Sequence, residues 1–363
     1  MSLSQLDLSL PSIDLSINDL LIKAVEMKAS DIHLSCGKHP KARIDGDLLD
    51  LDTSFTLTPE WMIGCFSKIM TPEQLKEYDT SMELDFRYSI DGFAGFRVNC
   101  YVQSETPAAV FRVIPDRIRT AKELGLPLSI LDLIKKQNGL IIVTGETGSG
   151  KSTTLAAMIE ERNMLYPDHI MTIEDPVEFI YESKKSLVNQ REIGRDTKGF
   201  NEALRRVLRQ DPDVILIGEL RDSETMSIAL TAAETGHLVF GTLHTQSAAK
   251  SINRIIDAFP SDKQNQVRSQ LSDTLQAVIS QVLIKKIGGG RVAATEIMVR
   301  NNAIASQIRD GKTSGIQDAI QSGKKEGMHT LDQNIKELVI DGLVSKEEAL
   351  HYVRDVETLN GIY

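Results

Sequence analysis

The sequence predicts an α/β protein in two parts, an α+β region followed by a parallel-sheet domain with a helical tail. In the first third of the chain, short β-patterned segments are separated by turn residues. After residue 120, apolar strand-like runs alternate with helical patterns, which is typical of a parallel sheet covered by helices on both faces. From residue 295 onwards the pattern is helical.

The predicted domain boundaries follow from these changes in pattern. A length of 363 residues is enough for about two domains. Segment 114–120 has a proline and three charged residues but no apolar period, so we expect a linker there. The predicted regions are a flexible leader at 1–16, an N-terminal α+β domain at 17–113, the linker at 114–120, a parallel-sheet domain at 121–294 and a helical C-terminal region at 295–363.

Composition and charge disfavour several classes of protein. An apolar content of 41% and a charged content of 25% are those of an ordinary globular protein. The net charge is −10, and residues 1–115 hold 17 acidic against 10 basic residues, which argues against a nucleic-acid groove in that part.

The sequence also predicts a cytoplasmic protein without direct membrane insertion. No apolar run approaches the roughly 18 residues that a membrane span needs, and the first basic residue is Lys23, so no basic signal-peptide start is present. The scattered cysteines Cys36, Cys65 and Cys100 form no Cys-x-x-Cys pair, which is typical of thiols in a reducing compartment.

The N-terminal region predicts helices packed on an antiparallel sheet. Threonine followed by proline at 58–59 and at 71–72 is a helix-start signal. The predicted elements are a helix at 17–27, short strands at 31–35 and 42–49 around an Asp-Gly turn, helices beginning at 59 and 72, and three antiparallel strands at 84–88, 95–103 and 108–114.

The most informative stretch is residues 139–155. Leu140–Val143 predicts a buried strand, Gly145-x-x-x-x-Gly150-Lys151-Ser152 matches the phosphate-binding loop, and a helix follows. The glycines let successive backbone N–H groups converge, and the helix adds the positive end of its dipole. We therefore expect ATP with Mg²⁺, with Lys151 reaching the β- and γ-phosphates and the Ser152 hydroxyl ligating the metal. The predicted nucleotide-binding residues of this loop are Gly145, Thr147, Gly148, Ser149, Gly150, Lys151, Ser152 and Thr153.

Downstream, polar clusters follow predicted strands, where ligands of open parallel sheets bind. The predicted strands are 169–173, 214–218 and 238–243, and the predicted helices are 199–210, 223–235, 247–258 and 261–280. Carboxylates after the first of these strands are either a solvated acidic loop or a base for the attacking water; we choose Glu178 as the base, with Glu174 and Asp175 as supporting charges. Glu219 ends an apolar strand in the Walker B pattern, in which the acid holds Mg²⁺ directly or through water.

Two histidines and two arginines are further candidates for contacts with phosphate, and each can also be an ordinary polar or solvated residue. His237 and His244 bracket one strand and either sense the γ-phosphate or are satisfied polar residues. Without a third ligand at sensible spacing they are not a zinc pair. Arg254 and Arg268 on later helices either contact phosphate across a subunit boundary or are solvated.

Three arginines lie within the predicted N-terminal strands, namely Arg87, Arg97 and Arg112. They either form a solvated face or face a triphosphate held by the second domain. In the second case a guanidinium would neutralise charge that develops during phosphoryl transfer.

Together these motifs strongly resemble the secretion ATPase superfamily, and within it the type IV pilus retraction ATPases. The resemblance runs from about residue 17 to about residue 350 and is most specific through 145–300. The motifs are Gly-Glu-Thr-Gly-Ser-Gly-Lys-Ser-Thr-Thr at 145–154, Thr-Ile-Glu-Asp-Pro-Val-Glu at 172–178, Leu-Val-Asn-Gln-Arg-Glu at 187–192, Ile-Gly-Glu-Leu-Arg-Asp at 217–222, Ala-Glu-Thr-Gly-His-Leu-Val-Phe-Gly-Thr-Leu-His at 233–244 and Ile-Lys-Lys-Ile-Gly-Gly-Gly-Arg-Val-Ala-Ala at 284–294.

The resemblance implies a PAS-like N-terminal domain, a RecA-like second domain and a homohexameric, ATP-hydrolysing motor for pilus retraction. It implies a partner in the inner-membrane pilus platform, at the cytoplasmic face of that membrane. By it, Glu178 is the catalytic glutamate, Glu219 the Walker B glutamate, and His237 and His244 the His box. Arg97 and Arg112 would be the N-terminal-domain arginines that approach the γ-phosphate.

Two departures from family patterns refine this expectation. The extension ATPases carry a tetracysteine zinc motif, whereas no cysteine follows Cys100 here, so extension is disfavoured. The retraction motif Ala-Ile-Arg-Asn-Leu-Ile-Arg-Glu reads Ala303-Ile-Ala305-Ser-Gln-Ile-Arg309-Asp310 in this chain, so its first arginine is Ala305 and its last glutamate is Asp310. ATP hydrolysis should survive these changes.

Three alternatives therefore stay open: an accessory paralogue of the retraction motor, a nucleotide-gated interaction module with weak turnover, and, disfavoured by the acidic balance, a nucleic-acid translocase. The apolar faces of the C-terminal helices are either internal core or a docking surface.

Overall fold

The structure is a computed structural model that describes residues 16–114 and 117–361 of the chain. The chain divides into two compact units, Met1–Arg117 and Ile118–Tyr363, and the division falls within the segment expected to be a linker. The expected leader lies outside the described residues except for Ser16, whose side chain caps the first helix.

The first unit is an antiparallel sheet with helices on one face. Its elements are α1 (Ile17–Glu26), β1 (Asp31–Ser35), β2 (Lys41–Ile44), β3 (Asp47–Asp50), α2 (Pro59–Ile69), α3 (Pro72–Ser81), β4 (Glu83–Ile90), β5 (Ala94–Gln103) and β6 (Thr106–Ile114). The strand order is β3-β2-β1-β6-β5-β4, and every neighbouring pair is antiparallel. The helix starts at Thr58 and Thr71 are confirmed, because each side chain caps a helix whose first residue is proline.

One face of this sheet is apolar and the other is polar. Along β5, Phe96 and Val98 are buried with Leu20 of α1 and Phe66 of α2 in one core. The residues that alternate with them, Arg97 among them, lie on the opposite face.

The second unit is built on a mostly parallel sheet. Its elements are α4 (Ser129–Leu133), β7 (Gly139–Thr144), α5 (Lys151–Leu165), β8 (His169–Glu174), β9 (Leu187–Glu192), α6 (Phe200–Val207), β10 (Val214–Ile217), α7 (Ser223–Glu234), β11 (Leu238–Leu243), α8 (Ala248–Asp257), α9 (Gln264–Thr274), β12 (Leu275–Lys285), β13 (Arg291–Val299), α10 (Asn302–Arg309), α11 (Ile316–Ser322), α12 (Leu331–Ile340) and α13 (Lys346–Ala349). Short 3₁₀ helices lie between or after these elements at Thr313–Gly315, Lys324–Glu326 and Val356–Leu359.

The strand order is β13-β12-β7-β11-β10-β8-β9, with all neighbours parallel except β12 and β13. Both faces of the sheet are buried: alternate residues of β7, such as Leu140 and Ile141, belong to cores on opposite faces. The predicted α/β class and the two covered faces are therefore confirmed.

One predicted helix is partly wrong. The helix expected over 261–280 ends at Thr274, and Leu275–Lys285 is a strand that pairs with β7 on one side and β13 on the other. Val278 and Ile279 belong to the cores on the two faces of the sheet, so this apolar segment is buried as a strand. Periodicity alone does not separate a buried strand from a buried helix in such a run.

The expectation of a helical pattern from residue 295 onwards is also wrong for its first residues, because β13 continues to Val299 across the predicted 294/295 boundary. The apolar face of α12 is internal core: Leu331, Ile335 and Leu338 pack with Ile284 of β12 and Val292 of β13. No helix among the described residues is both long and apolar enough to cross a bilayer.

Candidate nucleotide-binding site

The loop between β7 and α5 has the backbone shape that converging N–H groups require. Gly145, Gly148 and Gly150 all have positive φ, at 147°, 80° and 88°. A Cβ on Gly145 would lie 2.4 Å from the carbonyl oxygen of Gln281, so only glycine fits there. The α5 helix begins directly at Lys151 and directs its N-terminus at the loop.

Lys151 is buried in the loop that it closes. Its Nζ donates to the carbonyl oxygens of Gly145 and Glu146, each at 2.9 Å. Burial lowers the pKa of Lys151, and the charges of Glu219 and Glu178 oppose that shift. The three groups therefore share one electrostatic environment, although the sequence places them on three different segments.

The strand order explains this convergence. Strands β7, β11, β10 and β8 are parallel neighbours, so the segments that follow them leave the same edge of the sheet. Glu219 follows β10, and its carboxylate accepts from Arg221 Nε at 2.7 Å and lies 3.5 Å from His244 Nε2. Asp175 is exposed after β8, 3.7 Å from Arg221.

Glu174 differs from the supporting charge that we expect from sequence. It is 9% exposed, and burial raises its pKa to about 7, so the carboxyl is close to half protonated at neutral pH. It accepts from Thr172 Oγ1 at 2.7 Å and from Gln190 Nε2 at 3.3 Å, and both bonds oppose the rise in pKa. Glu174 therefore links β8 to β9 beside the segment that carries Glu178.

This burial makes the stability of the protein depend on pH. The pKa of Glu174 is raised from an ordinary 4.5, so its contribution to stability is complete below pH 4.5 and is lost as the pH rises through about 7. Glu174→Gln removes the penalty of ionisation, by up to about 3 kcal/mol. The thermal midpoint of Glu174→Gln minus that of the wild type is the quantity to measure. This difference should be several degrees larger at about pH 8 than at about pH 5.

A matched control for this measurement is Glu182→Gln, which neutralises an exposed carboxylate on the same loop. Its midpoint should follow the wild type at both pH values. A midpoint difference for Glu174→Gln that is constant with pH would contradict the raised pKa.

The two histidines are not brought together. His244 follows the carboxyl end of β11, next to Glu219, whereas His237 precedes the first residue of the strand. Six residues of strand separate them, about 20 Å at ~3.3 Å per residue. Nδ1 of His237 lies 2.9 Å from the carbonyl oxygen of Ala232, as in a satisfied polar residue, so within the chain only His244 joins the site.

Several site contacts have no sequence signal, because the partners are far apart in the chain. Thr144 Oγ1 accepts from the backbone N–H of Thr245 at 2.9 Å, and Gln246 Nε2 donates to Glu146 Oε1 at 2.8 Å. Gln281 Nε2 donates to the carbonyl oxygen of Ser149 at 2.7 Å. Gln281 lies on β12, for which the sequence predicts a helix up to residue 280.

The oxygen groups at the loop fit a magnesium ion that is shared with a nucleotide. Ser149 Oγ is buried at the loop without a hydrogen-bond partner among the described residues. Ser152 and Glu219 offer a hydroxyl and a carboxylate, and Mg²⁺ typically takes one or two such ligands and completes its shell with phosphate and water oxygens. Within residues 16–114 and 117–361 no group of three or more His, Cys, Asp or Glu side chains forms a metal cage of its own.

The N-terminal arginines form a row in the first unit. The strand register aligns Arg87, Arg97 and Arg112 as direct cross-strand neighbours, and Asp31 and Arg43 continue the row. Arg112 Nε donates to Asp31 Oδ1 at 2.8 Å, whereas Arg97 has no ion pair within residues 16–114. Like charges directly opposite each other are unfavourable, so this face favours an anion.

Arg254 and Arg268 remain predictions. Arg254 is exposed on α8 and Arg268 is half-buried on α9.

Comparison with known proteins identifies relatives that match almost the whole chain. A type IV pilus retraction ATPase, PilT of Pseudomonas aeruginosa, is 52% identical over 92% of this chain and 97% of its own. PilU, a type IV pilus ATPase of the same organism, is 37% identical over 94% of this chain and 89% of its own. A crystal structure of the pilus retraction motor PilT with bound ADP matches with a TM-score of 0.84 and 45% identity over 94% of this chain and 98% of that one.

The family model described as type II/IV secretion system protein matches residues 7–351. This chain therefore belongs to the type II/IV secretion system protein family.

Proposed function

We propose that this chain is an ATPase that powers retraction of type IV pili. The observation that carries the proposal is the convergence of the phosphate-binding loop, Glu178 and Glu219 at one edge of the parallel sheet. Its support from relatives is the 52% identity to PilT across nearly the full length of both chains.

The chemistry assigns one role to each group. Lys151 exchanges its bonds to the loop carbonyls for the β- and γ-phosphates, and Glu178 orients and deprotonates the attacking water. Magnesium, held by Ser152 and by Glu219 directly or through water, would neutralise phosphate charge. Arg97 and Arg112 contact the terminal phosphate, where a guanidinium stabilises the charge that develops in the transition state.

The assembly we propose is a homohexamer at the cytoplasmic face of the bacterial inner membrane, acting on a platform protein of the pilus machine. Ring formation follows the family resemblance. We expect no nucleic-acid partner and no direct insertion into the bilayer.

A second candidate function is an accessory motor subunit of the kind that a PilT paralogue would supply. The observation that favours it is Ala305, which is buried on α10 between the buried residues Ile304 and Ile308. An arginine expected there from the retraction motif is missing, and the packing keeps the position apolar.

The decisive test uses a strain in which the gene is deleted. Main-motor function predicts pili that assemble but do not withdraw, with withdrawal restored by the wild-type chain and not by Lys151→Ala. Normal withdrawal in the deletion strain favours the accessory role.

A biochemical test separates the motor from a nucleotide-gated module. Phosphate release by the purified chain should clearly exceed that of Lys151→Ala; equality of the two would favour the module. Strong stimulation by single-stranded DNA in the same assay would instead support a translocase.

A further inference from the structure

Arg354 lies in the C-terminal region and contacts the segment that follows β11. Its Nη2 donates to the backbone carbonyl oxygen of Gln246 at 2.6 Å, across 108 positions of the chain. Its Nη1 donates to Glu296 Oε2 at 2.8 Å. The guanidinium thus bridges one backbone carbonyl and one carboxylate.

Glu296 is a rigid anchor for this bridge. It lies on β13 with 0% exposure, and its Oε1 accepts the backbone N–H of Ala248, the first residue of α8, at 2.9 Å. Because a buried carboxylate without its partner is strongly unfavourable, Glu296 keeps Arg354 in place.

Gln246 extends the bridge to the phosphate-binding loop. Its side chain donates to Glu146, the second residue of that loop, at 2.8 Å. The preceding residues of the segment contact the same region, since Thr245 bonds Thr144 and His244 lies beside Glu219. Segment 244–247 therefore contacts the site through His244, Thr245 and Gln246. Arg354 binds the backbone of the same segment at Gln246.

The bridge also reaches the last helices. The backbone N–H groups of Arg354 and Asp355 donate to the two carboxylate oxygens of Asp332, each at 2.9 Å. Asp332 lies in the first turn of α12. A shift of segment 244–247 would therefore displace Arg354 and, through it, the first turn of α12.

We propose that Arg354 is a positioning residue that holds segment 244–247 against the phosphate-binding loop and couples nucleotide binding to the order of the C-terminal helices. The proposal rests on the nucleotide site described above. Hydrogen bonds from a charged donor are roughly twice as strong as neutral ones, so the guanidinium is suited to this role. Lysine presents a single point charge and cannot bridge both acceptors in the same way.

The test measures binding of a fluorescent ADP analogue to the full chain. Arg354→Ala should weaken ADP binding about tenfold, and Arg354→Lys about threefold. The matched control is Arg309→Ala, which removes an arginine that pairs with Asp273 at 3.0 Å instead of segment 244–247. It should bind ADP within about twofold of the wild type.

A second variant keeps the test valid if Arg354→Ala folds poorly. Gln246→Ala leaves the backbone carbonyl for Arg354 but removes the contact with Glu146, so it should also weaken ADP binding. Because Arg354 acts on the site partly through the Gln246–Glu146 contact, the combined loss of affinity in Gln246→Ala with Arg354→Lys should be smaller than the product of the two single losses.

Hydrogen exchange supplies the readout that a purely structural role would not move. By reciprocity of coupling, ADP should increase amide protection over residues 331–359 in the wild type and not in Arg354→Ala. Lower thermal stability of Arg354→Ala with unchanged ADP affinity and unchanged ADP-dependent protection would overturn the proposal. Absence of ADP binding by the wild type would overturn the nucleotide site itself, and this inference with it.

Discussion

Arg97→Ala is expected to lower the maximal rate of ATP hydrolysis by about 10³-fold, because an arginine that stabilises the transition state contributes about 10³–10⁵ in rate. Arg97 is the member of the arginine row that is flanked by arginines on both sides and lacks an ion pair within residues 16–114. Its charge is therefore not neutralised by a carboxylate among the described residues of that unit. The measurement is steady-state phosphate release at saturating ATP.

The thermal midpoint separates this loss from unfolding. Relief of the like-charge contacts with Arg87 and Arg112 offsets the lost strand propensity, each about 0.2–1 kcal/mol, so the midpoint should stay near that of the wild type. The control is Arg43→Ala, which removes a charge from the same row beyond Asp31 and should keep turnover within a few-fold. Near wild-type turnover by Arg97→Ala would exclude contact between Arg97 and the reacting phosphate.

Glu178→Gln is expected to lower turnover by about 10²–10⁴-fold, the usual contribution of a positioned general base. The amide keeps the size of the side chain and leaves the backbone of the segment after β8 unchanged. Affinity for ADP should therefore stay close to that of the wild type. Phosphate release and ADP binding on the same preparation check both statements.

Lys151→Ala provides the contrast, because it removes the cation at the loop and should abolish binding and turnover together. If Glu178→Gln hydrolysed ATP at nearly the wild-type rate, the base would have to be assigned to another carboxylate. Glu219 would be the next candidate, since it also acts on the charge of Lys151.

The features that the sequence predicts correctly depend mostly on interactions between residues close together in the chain. The threonine caps at 58 and 71 and the glycine spacing of the loop act within a few residues, so the sequence predicts them directly. The strand pattern of β7 and the helix that follows it are equally local. The phosphate-binding loop can therefore be identified from the sequence without knowledge of the fold.

Features that depend on packing between distant parts of the chain do not show in the sequence pattern. The sequence predicts a helix for residues 275–280, because their burial as a strand between β7 and β13 does not show in the periodicity. The separation of His237 from His244 also depends on the fold, because opposite ends of a strand lie at opposite edges of the sheet. The raised pKa of Glu174 is a consequence of burial, which the residue type does not reveal.

The phosphate-binding loop, the fold class and the carboxylates available for catalysis can be read from the sequence, because each depends on residue type and on spacing within one segment. Which segments meet is seen only in the folded chain. Strand order brought Glu178, Glu219 and His244 to the loop, register aligned three arginines in a row, and packing carried Arg354 to Gln246. The physical reason is that register and strand order depend on the burial of whole faces, which is a sum over contacts between residues far apart in the chain.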